Sequence, residues 1–186
     1  MGKSILITGG ARSGKSSYAE KLAKELGGNV LYIATSIPFD EEMKLRVKRH
    51  KESRPREWDT FEGCKGLGRV ISEKGSQYKG ILLDCITVMV TNLLLEYTGM
   101  EGNDCSNEDF EKAEKEIERE IAELMAGIGN SEASVIIVTN ELGSGIVPEN
   151  PLARAFRDIA GRTNQYIAER CDEVYITVCG IPLKLK

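Results

Sequence analysis

The sequence feature that most constrains the fold is a glycine-rich string that directly follows a short apolar run. Residues 9–16 read Gly-Gly-Ala-Arg-Ser-Gly-Lys-Ser, a complete G-x-x-x-x-G-K-S phosphate loop, and residues 4–8 read Ser-Ile-Leu-Ile-Thr. Gly9 and Gly14 allow backbone angles that a side chain would forbid, so successive N–H groups can turn inward around a di- or triphosphate. Lys15 reaches the β- and γ-phosphates, and the Ser16 hydroxyl is a ligand for Mg²⁺. The string therefore predicts a protein that binds a nucleoside triphosphate.

Short β-branched runs alternate with helical patterns along the rest of the chain. This alternation predicts an α/β fold in which a mostly parallel sheet is flanked by crossover helices. Strands are predicted over residues 4–8, 30–34, 80–84, 134–139 and 173–178. Helices are predicted after the phosphate loop, from Asp40 to about His50, over residues 106–126 and from the Asn150-Pro151 pair onward. Because no repeat or long linker interrupts the pattern, residues 1–186 are expected to form a single P-loop domain.

Composition excludes several other classes of protein. The 186 residues carry a net charge of −4, which disfavours a nucleic-acid-binding protein because such proteins usually present a basic face. The five cysteines include no C-x-x-C pair and are accompanied by one histidine, which favours reduced thiols over a zinc site or a disulfide framework. No apolar stretch approaches the roughly 20 residues of a membrane span. We therefore expect a soluble, cytoplasmic protein without a membrane span.

Polar residues follow the predicted strands, at the sheet edge where open α/β folds bind their ligands. Thr35 and Ser36 come after the second strand, and Asp84 ends the third strand after an Ile-Leu-Leu run. The Asp84 pattern resembles a Walker B motif, whose acid holds Mg²⁺ directly or through water. Residues 140–145 follow the fourth strand and are either a functional turn that carries polar groups or a plain connecting loop.

His50 is the only histidine in the chain and lies among cations, within Lys-Arg-His-Lys-Glu-Ser-Arg over residues 48–54. These cations disfavour protonation of the imidazole, which would keep it neutral and nucleophilic, and they would also bind phosphates. The end of the predicted helix has the opposite effect, because it favours the protonated imidazole. The residues alone leave open whether His50 is catalytic or a solvated surface residue.

Nearly the whole sequence resembles one known family, the bifunctional adenosylcobinamide kinase/adenosylcobinamide-phosphate guanylyltransferases of cobalamin biosynthesis. The matching strings are TGGARSGKS (8–16), YIATS (32–36), DEEM (40–43), HKESRP (50–55), DCIT (84–87), TNLL (91–94), VTNE (138–141), GIVP (145–148) and FRDIAGRTNQ (156–165). The resemblance implies a RecA-like P-loop domain that assembles as a homotrimer. It is close except that the position of Asp84 is often Glu in such proteins, so the shorter side chain would contact Mg²⁺ through water.

The resemblance also implies two reactions. In the first, the γ-phosphate of ATP or GTP passes to the aminopropanol hydroxyl of adenosylcobinamide. In the second, GTP guanylylates the residue that matches His50 and releases pyrophosphate. The adenosylcobinamide phosphate then attacks the GMP–imidazole adduct and yields adenosylcobinamide-GDP, so that covalent catalysis divides one nucleotidyl transfer into two displacements.

The residues that the resemblance places on the nucleotide form four groups. They are the whole loop (Gly9, Gly10, Ala11, Arg12, Ser13, Gly14, Lys15, Ser16), the turn Ala34, Thr35 and Ser36, the segment Lys51, Glu52, Ser53 and Arg54, and the acids Glu62 and Asp84. Ser16 and Asp84 are the candidate Mg²⁺ ligands. Candidates for the corrinoid pocket are residues 140–148 with Arg154, Arg157 and Arg162, although these arginines are as well explained as ion-pair partners.

Two other functions are compatible with a phosphate loop. One is a P-loop kinase of a small metabolite with a single activity, in which His50 has no role. The other is a RecA-like ATPase or switch whose nucleotide cycle drives binding to a partner. The acidic balance of the chain disfavours the second alternative where the partner is a nucleic acid.

Overall fold

The strands form one sheet whose order places the phosphate-loop strand between two parallel neighbours. The computed structural model describes residues 2–36, 55, 57–99 and 105–186. Its strands are β1 (Ser4–Thr8), β2 (Val30–Ala34), β3 (Asp59–Glu62), β4 (Gly80–Asp84), β5 (Ser134–Val138), β6 (Glu173–Val178) and β7 (Ile181–Lys184). Their order across the sheet is β3-β2-β4-β5-β1-β6-β7. All described neighbours are parallel except β6 and β7, which form a hairpin.

Five described helices connect the strands and cover both faces of the sheet. They are α1 (Lys15–Glu25), α2 (Leu67–Lys74), α3 (Ile86–Thr98), α4 (Asn107–Gly129) and α5 (Pro151–Arg170), and a 3₁₀ turn spans Gly75–Gln77. Ser106 and Asp109 form a reciprocal capping box at the start of α4. The Asn150 side chain caps α5 by accepting from the Ala153 amide. The sequence signals that predicted both helix starts are therefore confirmed.

The core is divided by the sheet because successive strand residues point to opposite faces. The strand residues on one face, which include Leu6, Leu31 and Leu83, pack against α2, α3, α4 and α5. The alternate positions, which include Ile7, Tyr32 and Leu82, pack with Ala19 and Ala23 of α1 on the other. Helix α1, which begins inside the phosphate loop, therefore lies on the face that carries Tyr32.

The predicted α/β class, with a mostly parallel sheet flanked by helices, is confirmed. The sequence reading missed β3, β7, α2 and α3. Strands β3 and β7 are four-residue edge strands with mostly exposed side chains, so they lack a long apolar run. Helix α3 is apolar around much of its circumference and shows little of the one-sided periodicity by which a surface helix is recognised.

Two further predictions concern particular segments. The fifth strand ends at Val138, one residue before the predicted Thr139. The helix predicted from Asp40 to His50 lies outside the described residues.

Within the described part of the chain, none of the helices combines the length and the apolar character that a membrane crossing requires.

Candidate nucleotide-binding site

The phosphate loop connects β1 to α1 and adopts the backbone angles that its glycines permit. Gly9 and Gly14 have φ values of 145° and 99°, and Arg12 has a φ of 56°. The Lys15 side chain is buried and folds back over the loop, where its ammonium donates to the carbonyl of Gly10 at 2.5 Å. Helix α1 begins at Lys15 with Gly14 as its N-cap, so its N-terminal end lies at the loop, as a phosphate-binding helix start requires.

The β6–β7 hairpin supports the loop from one side. The amide of Gly180 donates to the carbonyl of Ser13 at 2.8 Å. The hydroxyls of Ser13 and Thr177 share a buried hydrogen bond of 2.8 Å. The hairpin turn consists of Cys179 and Gly180, which both have positive φ values (53° and 81°), as a tight two-residue hairpin turn requires.

Asp84 ends β4 at the same edge of the sheet as the phosphate loop. Its carboxylate is half-buried, and its Oδ2 accepts a hydrogen bond of 2.7 Å from the hydroxyl of Tyr32 in β2. Burial lowers the pKa of the Lys15 ammonium, and the nearby Asp84 carboxylate opposes that fall. The structure thus brings together the predicted phosphate-binding cation and the predicted Mg²⁺-binding acid.

The turn after β2 is fixed by Thr35, which is fully buried. The Thr35 hydroxyl donates to the carbonyl of Cys85 at 2.7 Å and accepts from the Cys85 amide at 2.9 Å. Its amide donates to the Asp84 carbonyl at 3.2 Å, and its own carbonyl accepts from the Asn92 side chain at 2.7 Å. The turn at 34–36 and the acid at 84 are therefore held in one hydrogen-bonded unit.

The cysteines carry no disulfide, and all five are free. Cys85 follows Asp84 directly, and burial raises the pKa of its thiol to about 12, with the Asp84 carboxylate adding to the rise. Burial likewise raises the pKa of Cys64, and raises that of Cys171 to about 12. These three thiols are protonated at neutral pH and are poor nucleophiles, because the thiolate is the reactive form.

Polar groups at the end of β5 form a network that the sequence indicated only in part, through the turn at residues 140–145. The backbone amide of Asn140 donates to the Thr87 hydroxyl at 2.6 Å. The Asn164 side chain donates to the backbone carbonyl of Asn140 at 2.9 Å. Thr139 donates to Asn164 at 2.7 Å and lies 3.2 Å from the Thr87 hydroxyl. The next residue, Glu141, donates from its amide to the carbonyl of Gly9 at 3.0 Å. The network joins α3, α5 and β5 to the phosphate loop.

Apart from lying within strings that resemble the family, these residues gave one sequence signal, which was their position. Thr139 and Asn140 directly follow a buried strand, which places them at the ligand-binding edge of the sheet. Thr87 and Asn164 lie within helices whose partners are distant in sequence, so their role depends on the tertiary fold. Both threonines are buried, and a buried hydroxyl normally requires a hydrogen-bond partner.

The remaining predicted site residues are Glu62 and the segment 50–54. Glu62 is exposed at the end of β3, where it is paired in register with Ala34. His50 and the segment Lys51, Glu52, Ser53 and Arg54 lie outside the described residues.

The three candidate corrinoid-binding arginines all have protein partners. Arg162 pairs with Glu114, and Arg154 donates to the carbonyls of Pro148 and Glu149 at 3.0 and 2.6 Å. Arg157 lies 3.6 Å from the Asp158 carboxylate. These contacts support the interpretation of the arginines as structural residues.

The donor set fits Mg²⁺ bound together with a nucleotide. Mg²⁺ prefers oxygen ligands and is commonly held by one or two protein oxygens, by waters and by substrate phosphates. The Ser16 hydroxyl and the Asp84 carboxylate supply oxygens of that kind at the loop. Among the described residues there is no group of three or more His, Cys, Asp or Glu side chains that could bind a metal by themselves.

Fold and loop together define a P-loop nucleotide-binding protein with a mostly parallel seven-stranded sheet. A solved ATPase of the type III secretion system of pathogenic bacteria shares this fold, with a TM-score of 0.56 at 12% identity. The alignment covers 95% of this chain and 52% of the ATPase chain. At that identity the likeness concerns the fold alone.

The chain belongs to the cobinamide kinase/cobinamide phosphate guanyltransferase family, which matches residues 5–185. It is 50% identical to the bifunctional adenosylcobalamin biosynthesis protein CobU of Salmonella typhimurium over 98% of this chain and 99% of that protein. It is 47% identical, with the same coverage, to CobU of Escherichia coli, and 40% identical to CobP of Pseudomonas aeruginosa over 97% of this chain and 96% of that protein. The chain is thus a transferase of a family with cobinamide kinase and guanylyltransferase activities, and the predicted resemblance is confirmed.

Proposed function

We propose that this chain catalyses both family reactions within one domain over residues 1–186. It phosphorylates the hydroxyl of adenosylcobinamide with ATP or GTP, and it then transfers GMP from GTP to adenosylcobinamide phosphate. The observation that carries the proposal is the juxtaposition of the phosphate loop, with Lys15 buried inside it, and Asp84 at the end of β4. The family match over residues 5–185 supports the choice of substrates.

In the kinase step, the loop amides and Lys15 hold the β- and γ-phosphates. The acceptor hydroxyl attacks the γ-phosphorus and loses its proton to solvent, and the bond from the γ-phosphorus to the bridging oxygen breaks, so that the nucleoside diphosphate departs. Burial lowers the pKa of the Lys15 ammonium, and in this less hydrated setting its charge would attract a bound phosphate more strongly than it would in water. Mg²⁺ bound by Ser16 and Asp84 would neutralise negative charge on the phosphates.

In the guanylyl step, we propose that His50 attacks the α-phosphorus of GTP and that pyrophosphate leaves. The phosphate of adenosylcobinamide phosphate then attacks the same phosphorus and restores the free imidazole. Lys51 and Arg54 lie close to His50 in sequence and would stabilise charge on the transferring group. Ser36 and Glu62 would contact the guanosine, and the buried Ala34 and Thr35 would hold the turn that presents Ser36.

Three further properties belong to the same proposal. Family members of this kind would assemble as a homotrimer, and we extend that assembly to this chain. We also propose that the protein acts in the cytoplasm, where its five free cysteines would remain reduced. Neither reaction calls for a nucleic acid or a membrane.

The experiment that tests the covalent step is incubation with α-labelled GTP and Mg²⁺, followed by denaturation. We expect a protein-bound label that is labile in acid and stable in alkali, because it is a phosphoramidate. His50→Ala should abolish this label. A lysine adduct would show the same chemical stability, so Lys51→Ala is the matched control. Its labelling should be slower, because Lys51 would stabilise the transferring group, but on long incubation at saturating GTP it should still become labelled.

Kinase activity separates the alternatives. With γ-labelled nucleotide and adenosylcobinamide, His50→Ala should still produce adenosylcobinamide phosphate. A wild-type chain that makes this product but never becomes labelled from α-labelled GTP is a kinase with a single activity. Nucleotide hydrolysis without transfer to the corrinoid would instead favour a RecA-like switch.

A further inference from the structure

Tyr32 is a buried tyrosine whose hydroxyl is directed to the candidate metal-binding acid. Its residue is 2% exposed, and its hydroxyl donates to Oδ2 of Asp84 at 2.7 Å. A hydroxyl carries one proton, and an ionised carboxylate only accepts, so Tyr32 is the donor in this bond. Hydrogen bonds to a charged acceptor are stronger and better oriented than those between neutral groups.

The sheet register determines why this tyrosine reaches this acid. Strands β2 and β4 are parallel neighbours in which Tyr32 pairs with Leu82 and Ala34 pairs with Asp84. Because side chains alternate along a strand, Tyr32 and Asp84 lie on the same face, offset diagonally by two residues. This is the face that α1 covers, and α1 begins at Lys15.

The hydrogen bond from Tyr32 restrains the orientation of the Asp84 carboxylate. The Asp84 side chain is half-buried, and its backbone is held by the Thr35 amide, so rotation of the carboxylate is its main remaining freedom. The Tyr32 hydroxyl restrains that rotation at Oδ2. Outer-shell partners that orient metal ligands in this way commonly change metal affinity by ~10–100-fold when they are removed.

We propose that Tyr32 is a positioning residue that holds Oδ2 of Asp84 so that Oδ1 is presented to the Mg²⁺ of the bound nucleotide. This inference rests on the proposed Mg²⁺ site at Ser16 and Asp84. In this proposal Tyr32 acts through Asp84 and not directly on the cation or the phosphates. Its loss should therefore act chiefly on the part of nucleotide affinity that depends on Mg²⁺.

The test compares nucleotide affinity with and without Mg²⁺, and it requires no turnover. The probe is α,β-methylene GTP, in which the bond that the guanylyl step would cleave is blocked, and calorimetry gives its Kd in Mg²⁺ and in EDTA. Tyr32→Phe should reduce the tightening by Mg²⁺ about tenfold, while the Kd in EDTA stays within about twofold of the wild type. Tyr175→Phe is the matched control, because it removes a tyrosine–carboxylate bond of 2.6 Å to Glu173, near the start of β6.

The outcomes distinguish a failure of the role inferred for Tyr32 from a failure of the proposed Mg²⁺ site. If Asp84→Ala keeps the wild-type effect of Mg²⁺, the metal site itself is wrong. If Asp84→Ala loses the effect but Tyr32→Phe keeps it, only the role of Tyr32 is overturned. Equal weakening of both Kd values in Tyr32→Phe would also overturn it, because that is the signature of a purely structural residue.

Two further measurements complete the test. In an Asp84→Ala background, Tyr32→Phe should cause no further change in the effect of Mg²⁺, and an additional loss would contradict an action through Asp84. Thermal unfolding of the two phenylalanine variants side by side checks the fold. Each variant keeps its ring and loses one oxygen, so both should unfold cooperatively near the wild-type temperature.

Discussion

Gly180 packs directly against Gly14. A methyl group placed on Gly14 would lie 2.9 Å from the Cα of Gly180, a distance that real side chains essentially never show. The amide of Gly180 also donates to the carbonyl of Ser13 at 2.8 Å. The phosphate loop is thus shaped by a backbone-to-backbone contact with a distant hairpin as well as by its own glycines.

Gly14→Ala is expected to weaken nucleotide binding at least tenfold and to destabilise the protein. The substitution places a Cβ against backbone and forces a residue with φ of 99° into a region that side chains rarely adopt. Calorimetric titration with GTP and urea denaturation measure the two effects. Gly161→Ala is the control, because nothing lies within 4 Å of a Cβ at this helical position. A Gly14→Ala protein with wild-type affinity would contradict the packing described for the loop.

Lys15→Ala is expected to impair the kinase and guanylyl steps together if one phosphate loop serves both. The variant loses the buried ammonium that otherwise bonds to the carbonyl of Gly10. Initial rates with γ-labelled and α-labelled nucleotide, each at several concentrations, report the two steps. Lys24→Ala, at the exposed end of the same helix, should leave both rates unchanged. Loss of only one activity in Lys15→Ala would mean that the steps use separate phosphate sites.

Gly68→Ala is expected to lower the free energy of unfolding by about 3 kcal/mol, because overpacking against backbone cannot relax through a rotamer change. Helices α2 and α4 approach so closely that a Cβ on Gly68 would lie 2.1 Å from the carbonyl oxygen of Glu123. Urea denaturation measures the loss. Gly129→Ala, which has open space around its Cβ, should change stability by less than about 1 kcal/mol. Similar stabilities for the two variants would rule out the close approach of the helices.

Glu173 gives the protein a pH-dependent contribution to stability. Hydrogen bonds from Lys3 and Tyr175, together with Lys184, lower the pKa of its carboxyl to about 2. Since the unfolded value is about 4.3, the stabilisation is present above pH ~4.3 and is lost as the pH falls toward 2.

Glu173→Gln should therefore cost about 1 kcal/mol at pH 7, a value kept small because the pairs with Lys3 and Lys184 are open to solvent. Urea denaturation of both proteins at pH 7, 4 and 2.5 follows the difference. The difference between the two stabilities should be much smaller at pH 2.5 than at pH 7. A constant difference across this range would show that the carboxylate charge contributes nothing.

The sequence predicted the parts of the molecule whose chemistry is local. Residues 9–16 specify both the strand before them and the helix after them, and the Ile-Leu-Leu-Asp run of β4 places Asp84 at the ligand-binding edge. Ser106 and Asn150 predicted the starts of α4 and α5 because capping depends only on residues within one turn.

The rest could not be predicted because it depends on contacts between distant segments. Tyr32 is one of several apolar or aromatic residues in β2, and only the register with β4 makes it a partner of Asp84. Asn164 lies in the middle of a helix, where an asparagine carries no local signal. The edge strands β3 and β7 are too short and too exposed to show the pattern of a buried strand.

The support of Ser13 by Thr177 and Gly180 has a consequence for protein synthesis. The ribosome translates the phosphate loop long before it translates the hairpin that braces it. A nascent chain that stops before β6 carries the full motif yet lacks the hydroxyl and the amide that hold Ser13 in place. A chain truncated before β6 is therefore expected to bind nucleotide more weakly than the wild type, even though it carries the whole motif.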